Sequence, residues 1–257
     1  MFLCNNPSMN FKALIIAPLI LLFALNFVFA AEDAGTESGR THTQTGNAFT
    51  DSITEKEIDA FLRTEYNRSA TFYGELSLMG GMEFFDQLKV KGGISLGRTE
   101  RQTDINTFVR ANYMPFSFPL GFTLAWIYNG IPEYEADMHT ILPYISFGNS
   151  RAGISVGMNF RFSSHFGEEA QFESILSFSG YLNFLDTESL QVGISAGNFT
   201  DFYAKNMGAF SLKLHAIVNL DNNWTIINEI EILQSGADGL ATNFYGFAWR
   251  GGARYKW

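Results

Sequence analysis

The sequence has a single cysteine, Cys4, among 257 residues, so no disulfide framework can staple the fold. Any metal site would have to be built from histidines and carboxylates, yet His139, His165 and His215 stand singly, without ligand spacing. Positive charge is also scarce: 17 Lys and Arg face 26 Asp and Glu, for a formal net charge of −9. Without a basic patch to neutralise phosphates, nucleic acid is excluded as a partner. Proline is rare, at 6 residues. What is abundant is aromatic: 26 Phe, 10 Tyr and 4 Trp, together with 24 Gly. Mean hydropathy is nevertheless near zero, at +0.01. Many apolar residues balanced by as many polar ones suit strands that alternate between two environments.

The N-terminus has a secretory layout. Lys12 precedes an apolar run from Ala13 to Ala30, interrupted by Pro18, with the small residues Val28 and Ala30 at a cleavage-like site. Residues 1–30 are therefore expected to be a signal peptide, an uncleaved anchor being the alternative. Residues 31–65 are expected to form a flexible periplasmic or lumenal segment. Within it, Thr54 and Glu57 have the spacing of a capping box, and Ile58, Phe61 and Leu62 share one helical face, so a short helix is possible there.

From Ala70 onward the period is two. Phe72, Leu76, Leu78, Met82 and Phe84 oppose Tyr73, Glu75, Ser77 and Glu83, and Ala152 to Phe162 oppose Arg151 to Arg161. Eleven such stripes follow one another, the one around Pro143 being weak because proline removes a ladder donor. Short turns and longer connections alternate between them.

The last stripe ends TNFYGFAWRGGARYKW, with Tyr245, Phe247, Trp249, Gly251, Ala253, Tyr255 and Trp257 on one face. In this it resembles the final strand of bacterial outer-membrane β-barrels. That resemblance implies an assembly signal carried by Trp249, Tyr255 and Trp257 and read by the barrel assembly machinery. It also implies outer-membrane lipid around the wall and a location in the outer membrane. The expected fold is all-β, an antiparallel transmembrane barrel over residues 66–257. An even strand number requires about twelve strands, with a twelfth hidden between about Lys56 and Asn67, or ten if the Pro143 stripe does not cross.

With apolar residues facing lipid, the interior would hold Glu75, Lys89, Lys91, Arg110, Arg161, Lys213, Glu229, Glu231 and Arg250. These are the candidate lining residues of a passive channel for small hydrophilic solutes. Three other readings stand beside it: a closed barrel acting through loops such as residues 129–137 and 198–206, carriage of apolar molecules through a side opening at Gly92-Gly93 or Pro143, and catalysis at Ser163, Ser164 and His165. The last lacks a recognisable enzyme motif, so no catalytic residue and no cofactor are assigned.

Overall fold

A computed structural model describes residues 53–67, 72–115, 119–166, 171–203, 210–235 and 243–257. The expected signal peptide, and most of the flexible segment expected after it, lie outside the described residues.

Twelve strands form one closed antiparallel barrel. They are β1 (Ile53–Asn67), β2 (Phe72–Phe84), β3 (Leu88–Arg98), β4 (Thr103–Tyr113), β5 (Leu120–Ile131), β6 (Ala136–Gly148), β7 (Ala152–Ser164), β8 (Gln171–Asp186), β9 (Leu190–Gly197), β10 (Ser211–Asn219), β11 (Trp224–Ser235) and β12 (Asn243–Lys256). Each strand pairs with its sequence neighbours, and β1 pairs with β12 to close the ring, in register from Glu57 opposite Lys256 to Asn67 opposite Gly246. Closure runs to the final residue: the backbones of Lys56 and Trp257 exchange hydrogen bonds of 3.2 and 3.1 Å.

The twelfth strand is β1, and it corrects two expectations. The stretch from Thr54 to Leu62 is extended rather than helical, and the barrel begins at Ile53 rather than at residue 66. The reason is tertiary. The free edges of β2 and β12 each need a partner, and only an extended segment can satisfy both. The helical period is misleading because the three residues do not share a face: Ile58 and Leu62 face outward while Phe61 is buried inside.

Pro143 does not remove a strand either. β6 crosses, and the proline sits at a two-residue break in its ladder with β7, where Ile141 pairs with Phe160 and pairing resumes at Tyr144 and Gly157. Gly92 and Gly93 are continuously paired with Gly80 and Met79 on one side and with Val109 and Phe108 on the other, so the wall has no gap there.

Alternation along the strands separates two surfaces. The outer one exposes Leu76, Leu96, Leu124, Ile154 and Ile230. Among the described residues, its charged side chains sit near strand ends, as Lys56, Arg98 and Asp137 do. Aromatic rings gather at both rims. Trp224, Tyr255 and Trp257 stack with centroids 4.9 and 5.7 Å apart near the chain terminus, while Phe162 and Phe172 meet at 5.1 Å at the opposite rim. An apolar band flanked by aromatic girdles is the exterior of a membrane-spanning barrel. The connections at the end that carries the chain terminus are three to six residues long and those at the other four to thirteen, the arrangement in which the former face the periplasm.

Candidate functional site

The lumen is polar at its walls and obstructed at mid-height. On the periplasmic side of β1, the buried carboxylates of Glu57 and Asp59 collect three bases. Glu57 lies 3.1 Å from Lys89, 3.2 Å from Lys91 and 3.5 Å from Arg254. Asp59 receives Arg254 through Nε at 2.7 Å and Nη2 at 3.1 Å, and also pairs with Lys91. Further along β1, Arg63 bridges Glu65 at 2.8 Å and Glu231 at 3.1 Å. These ions are mutually neutralised, as buried charges must be.

Above this cluster an apolar plug crosses the lumen. Phe61, Met79, Phe108, Ile127 and Ile227 converge from β1, β2, β4, β5 and β11 onto Phe202, which belongs to the connection between β9 and β10. Residues 198–203 of that connection turn into the lumen. Its entry is fixed by Asn198, whose backbone N–H donates to Phe178 O at 3.1 Å while its side chain accepts from Phe178 N at 2.8 Å and donates to Leu176 O at 2.9 Å. The amide thereby substitutes for a ladder partner along the edge of β8.

Beyond Asn198 the chain is latched to the opposite wall. Asp201 pairs with Arg110 of β4. Phe202 meets Phe108 edge-on, with centroids 4.9 Å apart at 87°, and its carbonyl accepts from Asn129 Nδ2 at 2.8 Å. Tyr203 Oη donates to Glu75 Oε2 at 2.8 Å, accepts from Asn106 Nδ2 at 3.0 Å and lies 3.0 Å from Tyr73 Oη. Small wall residues make the room. A Cβ at Gly97 would overlap the Tyr73 phenol, and one at Gly93 would come within 2.7 Å of Met79 and 2.9 Å of Phe108.

The plug does not fill the whole section. Two cavities of about 370 and 170 Å³ share Tyr181 and Ser195 and climb the β8–β10 wall. The larger is lined by Ser150, Asn183, Gln191, His215 and Glu229, and the smaller reaches Phe199 and Lys213. His215 Nε2 lies 2.7 Å from Asn183 Oδ1. Glu229 is shared between Arg250 at 3.3 Å and Lys213 at 3.8 Å. Arg250 also lies over the Phe61 ring, 3.7 Å from its centroid. On the adjoining wall, Thr140 Oγ1, both amide atoms of Asn159 and Ser177 Oγ are buried without a protein partner among the described residues. Groups of this kind are normally met by water.

All nine residues read from the sequence as lining candidates lie on the interior face, but in different settings. Glu229, Lys213 and Arg250 stand at or beside the cavities. Lys89 and Lys91 belong to the neutralised cluster on β1, and Glu231 to the buried pair with Arg63. Glu75 and Arg110 hold the plug, and Arg161 pairs with Glu173 at 3.4 Å near the outer rim. Ser163, Ser164 and His165 form no nucleophile–base pair. Ser164 Oγ donates to Asp137 at 2.6 Å, and the His165 ring packs on Phe166 at 4.1 Å. His139 faces outward between Trp126 and Tyr128.

No family model matches the chain, and no curated protein matches it. Solved structures do. The KdgM porin in complex with disordered oligogalacturonate superposes with a TM-score of 0.53 at 10% identity, covering 77% of this chain and 98% of that one. This is the fold of the outer-membrane porins. An outer membrane channel from Pseudomonas putida F1 gives 0.52 at 9% identity over 86% of this chain and 100% of its own. The NanC porin gives 0.51 at 9% identity over 76% and 98%. At these identities the likeness is one of fold, and the lumen has to be read from its own residues.

Proposed function

We propose that the chain is an outer-membrane channel for small hydrophilic solutes, conducting along the β8–β11 wall and gated by the inward-folded connection at residues 198–203. The observation that carries this reading is the pair of adjacent cavities, sharing Tyr181 and Ser195, that rise from the periplasmic mouth and stop at Phe199 of the plug. A barrel closed for stability alone would fill this wall with packed side chains. Here Ser, Asn, Gln and His groups face one another across open volume, with Glu229, Lys213 and Arg250 as the charged positions a passing solute meets.

Beyond the backbone pairing at Asn198 and Phe199, the plug is held by separable side-chain contacts rather than by a continuous ladder. Net hydrogen bonds of this kind contribute about 1 kcal/mol each, and ordering each loop residue costs about 1–2 kcal/mol. A docked loop with such opposing contributions can open without disturbing the wall. Lifting it would join the cavities to the outer rim.

Conductance in planar bilayers tests this. In a Cys4→Ser background, cysteines introduced as Arg110→Cys and Asp201→Cys are bridged by a reducible bis-thiosulfonate linker. The bridged protein should be silent and the reduced protein should show discrete conductance steps. Equal conductance in both states would remove the plug from the path. Silence in both, with heat-modifiable migration proving the barrel folded, would move function to the rim loops of a closed barrel.

A further inference from the structure

The outer wall carries a polar group where hydrocarbon should be. On β11 the outward side chains run Trp224, Ile226, Asn228, Ile230 and Ile232, so Asn228 is the middle one of five. It lies four residues above the Trp224 girdle. At about 3.4 Å per residue and a tilt near 40°, that places it about 10 Å into an apolar band about 25 Å tall. Asn228 is exposed on this face, with no hydrogen-bond partner among the described residues. Thr64, Thr107 and Ser174 are outward hydroxyls, and the outward His139 ring is covered by Trp126 and Tyr128. A carboxamide offers two donors and two acceptor lone pairs, and lipid tails satisfy none of them.

The surroundings are shaped for contact. The residues directly opposite Asn228 on the two neighbouring strands are Ala216 and Gly251, neither of which offers its amide a polar side chain. Trp249 exposes its indole beside it, folded down over Gly251 so that a Cβ there would overlap the ring. This indole lies away from the girdle formed by Trp224, Tyr255 and Trp257. Buried tryptophans flanked by small residues anchor protein contacts, and small residues let two walls approach closely.

We infer that this face of β10 to β12 is a contact between two copies of the chain, with Asn228 of each copy hydrogen-bonded to Asn228 of the other across a two-fold axis. The choice of partner follows from complementarity. A primary amide is its own hydrogen-bonding complement, donating and accepting in one plane, and a two-fold contact brings the same patch together with itself. The inference is independent of the channel reading, because it concerns the outside of the wall and is read out by assembly.

Sedimentation equilibrium of the full chain in density-matched micelles measures it directly. The wild-type protein and Asn228→Gln should form dimers, and Asn228→Leu should weaken association roughly tenfold, the loss expected for two amide hydrogen bonds in an apolar medium. Folding of each variant is verified by heat-modifiable migration. As a second readout, Ile230→Cys in the Cys4→Ser background should be joined by a short bismaleimide at twice the monomer mass. Leu124→Cys, equally outward on β5, should not be joined. A monomeric wild-type protein, an Asn228→Leu variant that dimerises like wild type, or equal cross-linking at both cysteine positions would overturn the inference.

Discussion

Phe202 offers the sharpest test of how the lumen is closed. It is 5% exposed and sits edge-on against Phe108 in a cluster supplied by five strands. Burying a phenyl ring contributes about 2–3 kcal/mol, and an aromatic pair adds about 0.5–1.5 kcal/mol. Phe202→Ala should therefore shift docking of the plug by about 3 kcal/mol, or a factor of about 100 in the ratio of docked to undocked loop. Because the ring belongs to a connection and not to a strand, that loss should appear as gating and not as unfolding. Single-channel recording would show open probability rising by up to two orders of magnitude, with the unit conductance of the open state unchanged. Phe202→Leu, which keeps most of the volume, should stay much nearer to wild type. A folded Phe202→Ala barrel with unaltered open probability would refute the assignment of this residue as the closing element.

Three further outcomes follow from the interior. Glu229→Lys should move reversal potentials toward anion selectivity, whereas Glu231→Gln should leave selectivity nearly unchanged and lower the temperature of heat-modifiable unfolding. The second substitution strips the buried Arg63 of one partner, a loss of about 3 kcal/mol. Lowering the pH should release the plug. Burial alone would raise the Asp201 carboxyl, but Arg110, with Lys91, Arg250 and Lys213 beyond it, holds it below the ordinary carboxylate value. Docking support from a depressed acid is fully present above its ordinary value and is lost as pH falls through the lower docked one. Open probability should accordingly rise only below about pH 4, and an increase already at pH 6 would count against Asp201. Trp257→Ala, at the seam where the last residue pairs with Lys56, should reduce insertion into the outer membrane in a fractionation assay.

The sequence is informative where a residue's environment is set by its own strand. Alternation along β2, β7 and β12 is a local property, and so is the inward placement of Lys213, Glu229 and Arg250; each follows from a period of two and a lipid-facing aromatic rim. The first strand is harder, because its alternation of Glu57, Asp59, Phe61, Arg63 and Glu65 with Ile58, Ala60 and Leu62 puts a phenylalanine among the charges. Phe61 belongs there because the plug cluster needs an apolar surface at that height and Arg250 needs a ring to lie against. Both reasons lie elsewhere in the chain.

The plug itself follows the same logic at greater range. Residues 198–203 read as a surface loop of mixed aromatics and acids, and nothing within those six residues distinguishes an exposed loop from one folded inward. The distinction is made by Arg110, Asn129, Asn106 and Glu75, which lie 70 to 130 residues away along the chain and are brought round the lumen by closure of the barrel. Gly93 and Gly97 carry the matching information in negative form. They look like flexible points in a strand, and on their own suggest a weak wall. In the closed barrel they are the positions where a side chain has been withheld so that Phe108, Met79 and Tyr73 can reach inward to meet the loop. A glycine in a barrel strand is thus better read from what stands across from it than from its own freedom. The same reading applied to the outer surface makes Gly251 the position where a side chain has been withheld so that the Trp249 indole can lie beside Asn228.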